Sequence, residues 1–516
     1  MKALLIFPLL WTVIDCANIL AIFHMPSYSH QVVFQPIWRE LSLRGHQVTV
    51  ITSHPLNDPT LKNLTEIDVS ALNLDIPKKM RLMHYIEKDQ PIHVKVQKVV
   101  EVNYEIAEVL LSDKRVIGVY NNSASKFDLV LVQPYMPPTL FAIAAKLKLP
   151  FVGISSFGAF FPSYYAMGNP HPPSLYSDIY LPYHGRMTFS ERLRSTLFYL
   201  WHRYYWTFHA LPKCDQIAKK YLGHDLPYIG DIERNMSLLL LSNPILYERR
   251  PNVPTIIDLE MLHVKPVKPL PADLKQFLDN AKQGVIYFSL GSNVLSAGLT
   301  ENLRKVLMEA FSELPYQVLW KFEDDKLPGK PKNVEIRKWI PQQDVLAHPN
   351  VKVFFTQTGL QSTEEAISRG VPMVGMPFIS DQAWNIRRLV EEGAAVRLDH
   401  TTLTKEEVKN ALLQVIKNPK YKENVLRLQK IWSDQPMKAL DRAVWWIEYV
   451  IRHKGTRHLR SPTADVTWFE YLLVDVILVL LSAISLVIFA LYRTVKFIFS
   501  KMTGGEPKKV KKSKRS

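Results

Sequence analysis

From residue 18 onward the chain alternates short apolar runs with longer amphipathic stretches, and it does so in two series. The first opens with an apolar run at 19–23, an amphipathic stretch over 31–44 closed by Gly45, and a second apolar run at 47–52. An apolar run, a helical period and a glycine stop before the next apolar run spell a βαβ unit. Apolar runs at 127–132 and 151–154 continue the same sheet. Three prolines within residues 263–271 then interrupt the pattern as a linker composition. Beyond it, strands are expected at 284–290, 317–322, 351–356 and 371–376, with a helix over 301–313 capped by Thr300. The expectation is an α/β protein with two doubly wound domains facing a cleft, residues 18–265 and 266–460. The aromatic segment 164–209 has no clear period and is expected to cover an apolar part of that cleft.

Both termini carry addresses. Residues 472–492 are 21 mostly apolar residues, long enough to cross a hydrocarbon core of about 30 Å at about 1.5 Å per residue. Trp468, Phe469, Tyr471 and Tyr492 flank the run as interface anchors, and Asp475 sits near one end. Residues 1–17, with Lys2 before an apolar stretch too short to span, read as a cleaved signal peptide. The formal charge of +16 suggests nucleic acid until its distribution is examined. Residues 493–516 hold nine Lys or Arg against Glu506, a net +8, so half of the total lies in a 24-residue tail. The rest is too dilute for a phosphate-backbone footprint, which excludes nucleic acid as a partner. Together these features predict a single-pass type I protein of the endoplasmic reticulum membrane, with a luminal body and a short basic cytosolic tail. Lysines at 512 and 514 fit a retrieval address, and the sequons at Asn63, Asn121 and Asn235 suit a luminal body. Cys16 leaves with the signal, so Cys214 has no disulfide partner.

In open parallel sheets, ligands bind beyond the carboxyl ends of the strands, and phosphates favour helix N-termini. The loops there contain no Walker A sequence, no Gly-x-Gly-x-x-Gly after a strand and no Asp-x-Asp. They do contain, in order, Trp339-Ile340-Pro341-Gln342-Gln343-Asp344, the run from Phe354 through Thr356-Gln357-Thr358-Gly359 to Ser362-Thr363-Glu364-Glu365-Ala366, Gly370 to Phe378, and Asp381-Gln382. This series resembles the signature of the UDP-glycosyltransferases, and the resemblance extends from the first strand through Ser289-Leu290-Gly291-Ser292 to the C-terminal span. It looks like the invertebrate membrane-bound branch of that family.

The resemblance implies a GT-B fold of two Rossmann-like domains, with acceptor held by the N-terminal half and UDP-sugar by the C-terminal half. It implies inverting transfer of a hexose, glucose by preference, to a hydroxyl of a small lipophilic acceptor such as a phenol. No cofactor or metal is expected, and association with itself or with relatives is left open. Trp339 offers an indole for uracil to stack on, and Gln342 can bond the nucleoside. Ser362 and neighbouring amides can hold the diphosphate beside the Gly291-Ser292 turn, with Gln357 and Gly359 close by, while Glu365 can accept the ribose hydroxyls. Asp381 and Gln382 correspond to the pair that bonds the sugar. His30 corresponds to the general base, an imidazole whose ordinary pKa lies near neutrality.

Three departures stand out. Gln133 occupies the position of the Asp that supports the base, where it is expected to accept a hydrogen bond from the ring while stabilising its charge less. Thr358 is expected to add bulk near the diphosphate, and Glu260-Met261 replaces a Gly-Gly pair. A competing reading is therefore a catalytically weak or inactive homologue that binds nucleotide sugar or a hydrophobic ligand, or partners active relatives.

Overall fold

Runs of Val, Leu and Ile with no polar alternation form strands that are covered on both faces. That holds for β1 (Asn18–Phe23), β4 (Leu129–Val132), β5 (Phe151–Ser155) and β6 (Leu238–Leu241), while β2 (Gln47–Thr52) alternates polar and apolar residues in its first half, β3 (Leu64–Asp68) is a polar edge strand and β7 (Ile256–Asp258) is short. In the computed structural model these seven pair in parallel in the order β3-β2-β1-β4-β5-β6-β7. A second parallel sheet follows, ordered β10-β9-β8-β11-β12-β13. Its strands are β8 (Val285–Ser289), β9 (Gln317–Lys321), β10 (Val334–Arg337), β11 (Val351–Thr356), β12 (Met373–Gly375) and β13 (Ala395–Arg397). The structure describes residues 16–73, 90–121, 126–183, 185–243, 250–379 and 381–504. Residues 1–15 of the expected signal peptide and residues 505–516 of the basic tail lie outside them.

Sequence expectations and strands agree closely where the apolar run is long, as at 47–52 and 351–356. The helix Glu301–Ser312 is capped as expected, Thr300 Oγ1 accepting from the Leu303 amide at 3.3 Å. Part of the segment without a clear period is helix Phe189–Tyr205, which starts on a reciprocal capping box between Thr188 and Glu191. Helix Ala439–His453 follows the second sheet in sequence but packs on the first, its Ala443, Val444, Ile447 and Val450 joining β1, β2 and helix Tyr28–Leu43 in one core. Arg44 and His46 meet Glu448 at 3.4 Å each across this contact.

Residues 462–516 form a separate compact unit. Within it, helix Val474–Met502 has 29 residues and contains an 18-residue window with a mean hydropathy of 2.8, long and apolar enough to cross a membrane. It runs past the expected end at 492 because Val495, Phe497, Ile498 and Phe499 alternate with Arg493, Lys496 and Lys501, and neither Gly nor Pro intervenes before Gly504.

Candidate active site

The strand order of each sheet reverses beside its first strand, between β1 and β4 and between β8 and β11, and such switch points open a crevice at the strand ends. Loops from both switch points line one cavity of about 630 Å³. Its lining includes Gly291, Ser292, Trp339, Gln342, Gln357, Gly359, Ser362, Glu365, Asp381 and Gln382 from the second half and His30 from the first. Gln133 is not part of the lining.

At one end Trp339 stands 59% exposed, a large apolar surface held out into the cavity mouth. The ring of Tyr28, in the first turn of helix Tyr28–Leu43, meets it edge-on at 5.2 Å. Beneath lies a polar network centred on Glu365. Gln342 Nε2 donates to Glu365 Oε2 at 2.6 Å and to Ser362 Oγ at 3.0 Å, and Tyr287 OH donates to Gln342 Oε1 at 3.0 Å. Gln343 Nε2 donates to Glu365 Oε1 at 3.0 Å. His263, fully buried in the inter-sheet linker, places Nε2 3.3 Å from Glu365 Oε1 and Nδ1 3.4 Å from Glu364 Oε2. Burial opposes a charge on this ring, but Glu365 and Glu364 outweigh it and raise its pKa. Burial pushes the Glu364 carboxyl up to about 7, with the His263 charge pulling the other way. The linker itself is tied down, since Lys265 and Lys268 amides donate to Gln343 and Asp344 at 2.8 and 2.7 Å.

Deeper in, Gly291 has φ +74°, and a Cβ there would collide with the Gln357 amide, so only glycine lets this turn and Gln357 approach each other. Gln357 Oε1 and Ser292 Oγ are buried with no hydrogen-bond partner among the described residues. Two orphaned polar atoms on one cavity wall suit a polar ligand that would satisfy them. Gly359 is the N-cap of helix Leu360–Ser368, so Ser362 lies in its first turn and is not the cap. Thr358 does not crowd this space. Its side chain turns away from the cavity, Oγ1 donating to the Gln357 and Gln382 carbonyls at 2.6 and 3.1 Å while its methyl lies against Gly375. Asp381 accepts from Asn385 Nδ2 at 2.6 Å at the start of helix Gln382–Glu391. Gln382 Oε1 accepts from the Phe378 and Ile379 amides at 2.8 and 3.0 Å, which fixes the loop before the helix.

On the facing wall, His30 Nδ1 lies 2.5 Å from Ser156 Oγ, and its ring is flanked edge-on by Phe157 at 5.3 Å and Tyr135 at 5.8 Å. These apolar surroundings lower its pKa to about 4 through burial, well below the ordinary imidazole value. The expected pairing of His30 with Gln133 is corrected here. Gln133 Oε1 accepts from the Met25 amide at 3.1 Å, and its Nε2 is buried without a partner among the described residues. Gln133 therefore fixes the loop after β1, and Ser156 at the carboxyl end of β5 is the polar partner of the His30 ring. The walls are joined by Ser27 Oγ to Asn293 Oδ1 at 2.9 Å and by Gln361 Nε2 to the Ser156 carbonyl at 2.6 Å.

Sequence reasoning missed Ser156, Tyr28, Asn293, Tyr287 and His263. Ser156 and Asn293 lie two and three residues beyond the expected strands 151–154 and 284–290, so the strand-end rule alone could have nominated them, whereas nothing local marks Tyr287 or His263.

The sequence pattern of the family described as UDP-glucoronosyl and UDP-glucosyl transferase matches residues 19–509. UDP-glucosyltransferase 2 of Dactylopius coccus is 35% identical over 480 residues, covering 93% of this chain and 92% of that protein. UDP-glucuronosyltransferase 2B10 of Homo sapiens is 34% identical over 510 residues, covering 95% and 94%. Among solved structures, the spinosyn forosaminyltransferase SpnP superposes with a TM-score of 0.57 at 16% identity, covering 85% of this chain and all of that one. Arabidopsis thaliana UGT89C1 complexed with UDP gives 0.55 at 15%, covering 84% and 99%. The fold shared with these glycosyltransferases is GT-B, two parallel-sheet Rossmann-like halves.

Proposed function

The chain belongs to the UDP-glucoronosyl and UDP-glucosyl transferase family, whose members move a sugar from a UDP-sugar to an acceptor, and from that premise we propose an inverting hexosyltransferase that uses UDP-glucose and a small lipophilic hydroxyl compound. The observation that carries this reading is the single cavity with an exposed indole and a buried carboxylate at one end and a half-buried imidazole between aromatic rings facing it.

In this reading uracil stacks on Trp339, the ribose hydroxyls donate to Glu365, and the diphosphate lies over the N-terminal turn of helix Leu360–Ser368 beside Gly291 and Ser292. Asp381, with Gln382 behind it, meets the hexose. His30 donates through Nδ1–H to Ser156, which leaves the Nε2 lone pair for the acceptor hydroxyl. The acceptor oxygen loses its proton to Nε2 and forms a bond to the anomeric carbon as the bond from that carbon to the β-phosphate breaks. Attack opposite the leaving group converts an α-linked donor into a β-glycoside. An imidazole that titrates near 4 is a weak base, which favours acceptors with acidic hydroxyls such as phenols. The body is assigned to the lumen of the endoplasmic reticulum and the tail to the cytosol, supported by the helix Val474–Met502 and the basic residues after it. The Asn121 and Asn235 side chains are exposed, whereas the Asn63 amide is engaged with the Ser42 carbonyl at 3.3 Å.

A second reading, binding without turnover, is favoured by one observation: the neutral Gln133 is engaged with Met25 and supplies no charge to the base. Microsomes containing the full chain, given UDP-glucose, UDP-glucuronate and UDP-galactose with a panel of phenols and aliphatic alcohols, separate the readings. Glucosides of phenols are expected. Product with UDP-glucuronate alone overturns the donor assignment, and donor binding without product from any pair establishes the second reading.

A further inference from the structure

Ser27 is the N-cap of helix Tyr28–Leu43, the helix whose first turn carries His30, yet its side chain caps nothing. A serine at that position ordinarily accepts from an amide of the first turn and stabilises the helix. Here Ser27 Oγ donates instead to Asn293 Oδ1 of the other half at 2.9 Å, and Asn293 Nδ2 donates to Ser29 Oγ at 3.4 Å. The residues just before His30 are thus held by a side chain from across the cleft. The partner of the ring is held in the same way. Ser156, whose Oγ lies 2.5 Å from His30 Nδ1, accepts at its carbonyl from Gln361 Nε2 at 2.6 Å. Both ends of the His30–Ser156 hydrogen bond are therefore fixed from the second half, one by Asn293 and the other by Gln361.

Both of these residues grow from the donor loops. Asn293 follows Ser292, and Gln361 precedes Ser362 in the first turn of helix Leu360–Ser368. Another tie between the halves has no such target: Arg387 Nη1 donates to the Pro182 carbonyl at 2.7 Å and to Glu191 Oε1 at 3.0 Å, and among the described residues neither acceptor is bonded to His30 or Ser156. A base must stand within a hydrogen bond of the proton it takes, and a displacement of about 1 Å can cost about a hundredfold in rate. We propose that Asn293 and Gln361 are positioning residues for the base: rooted in the half that binds the donor, they aim the His30–Ser156 pair at the reacting centre, so that proton removal depends on the donor loops standing in this arrangement. By their contacts the two belong with the wall they reach, not with the wall they grow from. This rests on the roles given to His30 and to the donor loops in the proposed function.

The test is a double-mutant cycle on the full-length chain in detergent, with radiolabelled UDP-glucose and one phenol so that the residual turnover of His30→Ala stays measurable. Gln361→Met and Asn293→Leu keep the side-chain size and remove the hydrogen bonds. Each is expected to lower kcat by about tenfold, inside the range that misplacement of a reacting group can cost, while UDP affinity in calorimetry stays at the wild-type level. Ser27→Ala cuts the Asn293 tie from the other side without touching the donor loops, and is expected to reproduce the loss of Asn293→Leu. In the His30→Ala background all three substitutions should cost nothing further, because a residue that acts through the base has no effect once the base is gone. Arg387→Gln, which cuts the tie that does not reach the base, should leave kcat unchanged. The same fold loss in both backgrounds, or no loss in either, overturns the proposal. So does a fall in UDP affinity as large as the fall in kcat, which would make the two residues donor ligands, or an equal loss from Arg387→Gln, which would make any link between the halves sufficient. Full turnover by His30→Ala alone removes the base itself, a failure of the proposed function that is seen before any cycle is closed.

Discussion

The two walls of the cavity are built on different principles. On the wall of the second sheet, the polar side chains around Glu365 satisfy one another before any ligand arrives: Glu365 accepts from Gln342 and Gln343 with His263 behind it, and Gln342 in turn is held by Tyr287. On the wall of the first sheet, His30 sits among Phe157 and Tyr135 with Ser156 as its polar contact. A network of this kind pre-pays the ordering of several groups and spreads the loss when one is removed. An imidazole with one hydrogen bond in apolar surroundings does not share its role. Substitutions on the first wall should therefore change rate steeply, and substitutions on the second should change binding by modest steps.

The sharpest way to break this contrast is His30→Ala. Turnover should fall by about 10²–10⁴-fold, the usual contribution of a general base, while UDP affinity stays at the wild-type level in calorimetry. A parallel loss of UDP binding would show that the walls are not separable. The same residue sets the pH profile. A general base must be neutral to accept a proton, and the His30 pKa is lowered to about 4, so with His30 in that role kcat/KM should hold steady through pH 6.5 and fall only as pH drops towards 4. An acid limb near 6.5 in the rate data would mean that His30 is more solvated than its burial implies.

Next in size is Trp339→Ala, which should weaken UDP by about 1 to 3 kcal/mol, the scale of one base on one aromatic ring. Asp381→Ala should spare UDP and harm UDP-glucose, because its contacts in this reading go to the hexose. Titrating both nucleotides against both variants decides it, and equal losses for Asp381→Ala would point to a disturbed helix start, since Asn385 bonds to the same carboxylate.

Smaller again is Ser156→Ala, expected to lower kcat by roughly tenfold, the value of about one hydrogen bond to a group that becomes charged, with KM for the donor unchanged. Gln133→Asp, by contrast, should leave the rate on phenols nearly unaltered, because the residue faces Met25. A large gain on aliphatic alcohols would show that the new carboxylate reaches the ring after all. Smallest is His263→Ala, expected to cost about 1 kcal/mol in UDP affinity but less in 2′-deoxy-UDP affinity, since its effect reaches the ligand only through Glu365 and the ribose hydroxyls. An equal loss for both nucleotides would make its role purely structural.

What the sequence disclosed follows the same division. Strands β2, β8 and β11 were legible because they are rich in Val, Ile and Phe and end in Thr-Ser, Leu-Gly or Gln-Thr-Gly, and the loops of the second half form one ordered series. Helix Phe189–Tyr205 was not, because apolar residues occupy both its buried and its exposed faces and so erase the helical period. Strands β3, β7, β10 and β13 are too short or too polar to announce themselves. In the site, the Gln133 misassignment arose because a position at a strand end does not say which way a side chain turns. Thr358 shows the same point, since a φ of +63° points a bulky residue away from the cavity it adjoins in sequence.

Helix Ala439–His453 has a further consequence for how this chain is made. The last strand of the first sheet ends at Asp258, yet Val444, Ile447 and Val450, which share a core with Trp38 and Leu41, are synthesised only after the whole second sheet. During synthesis the first half thus emerges with an apolar face open, exposed to chaperones and to misassembly for as long as ribosomes take to reach residue 453. Chimeras that exchange halves at the linker 263–271 would leave that helix with the wrong partner. The crossover that respects the packing exchanges 18–262 and 439–461 together.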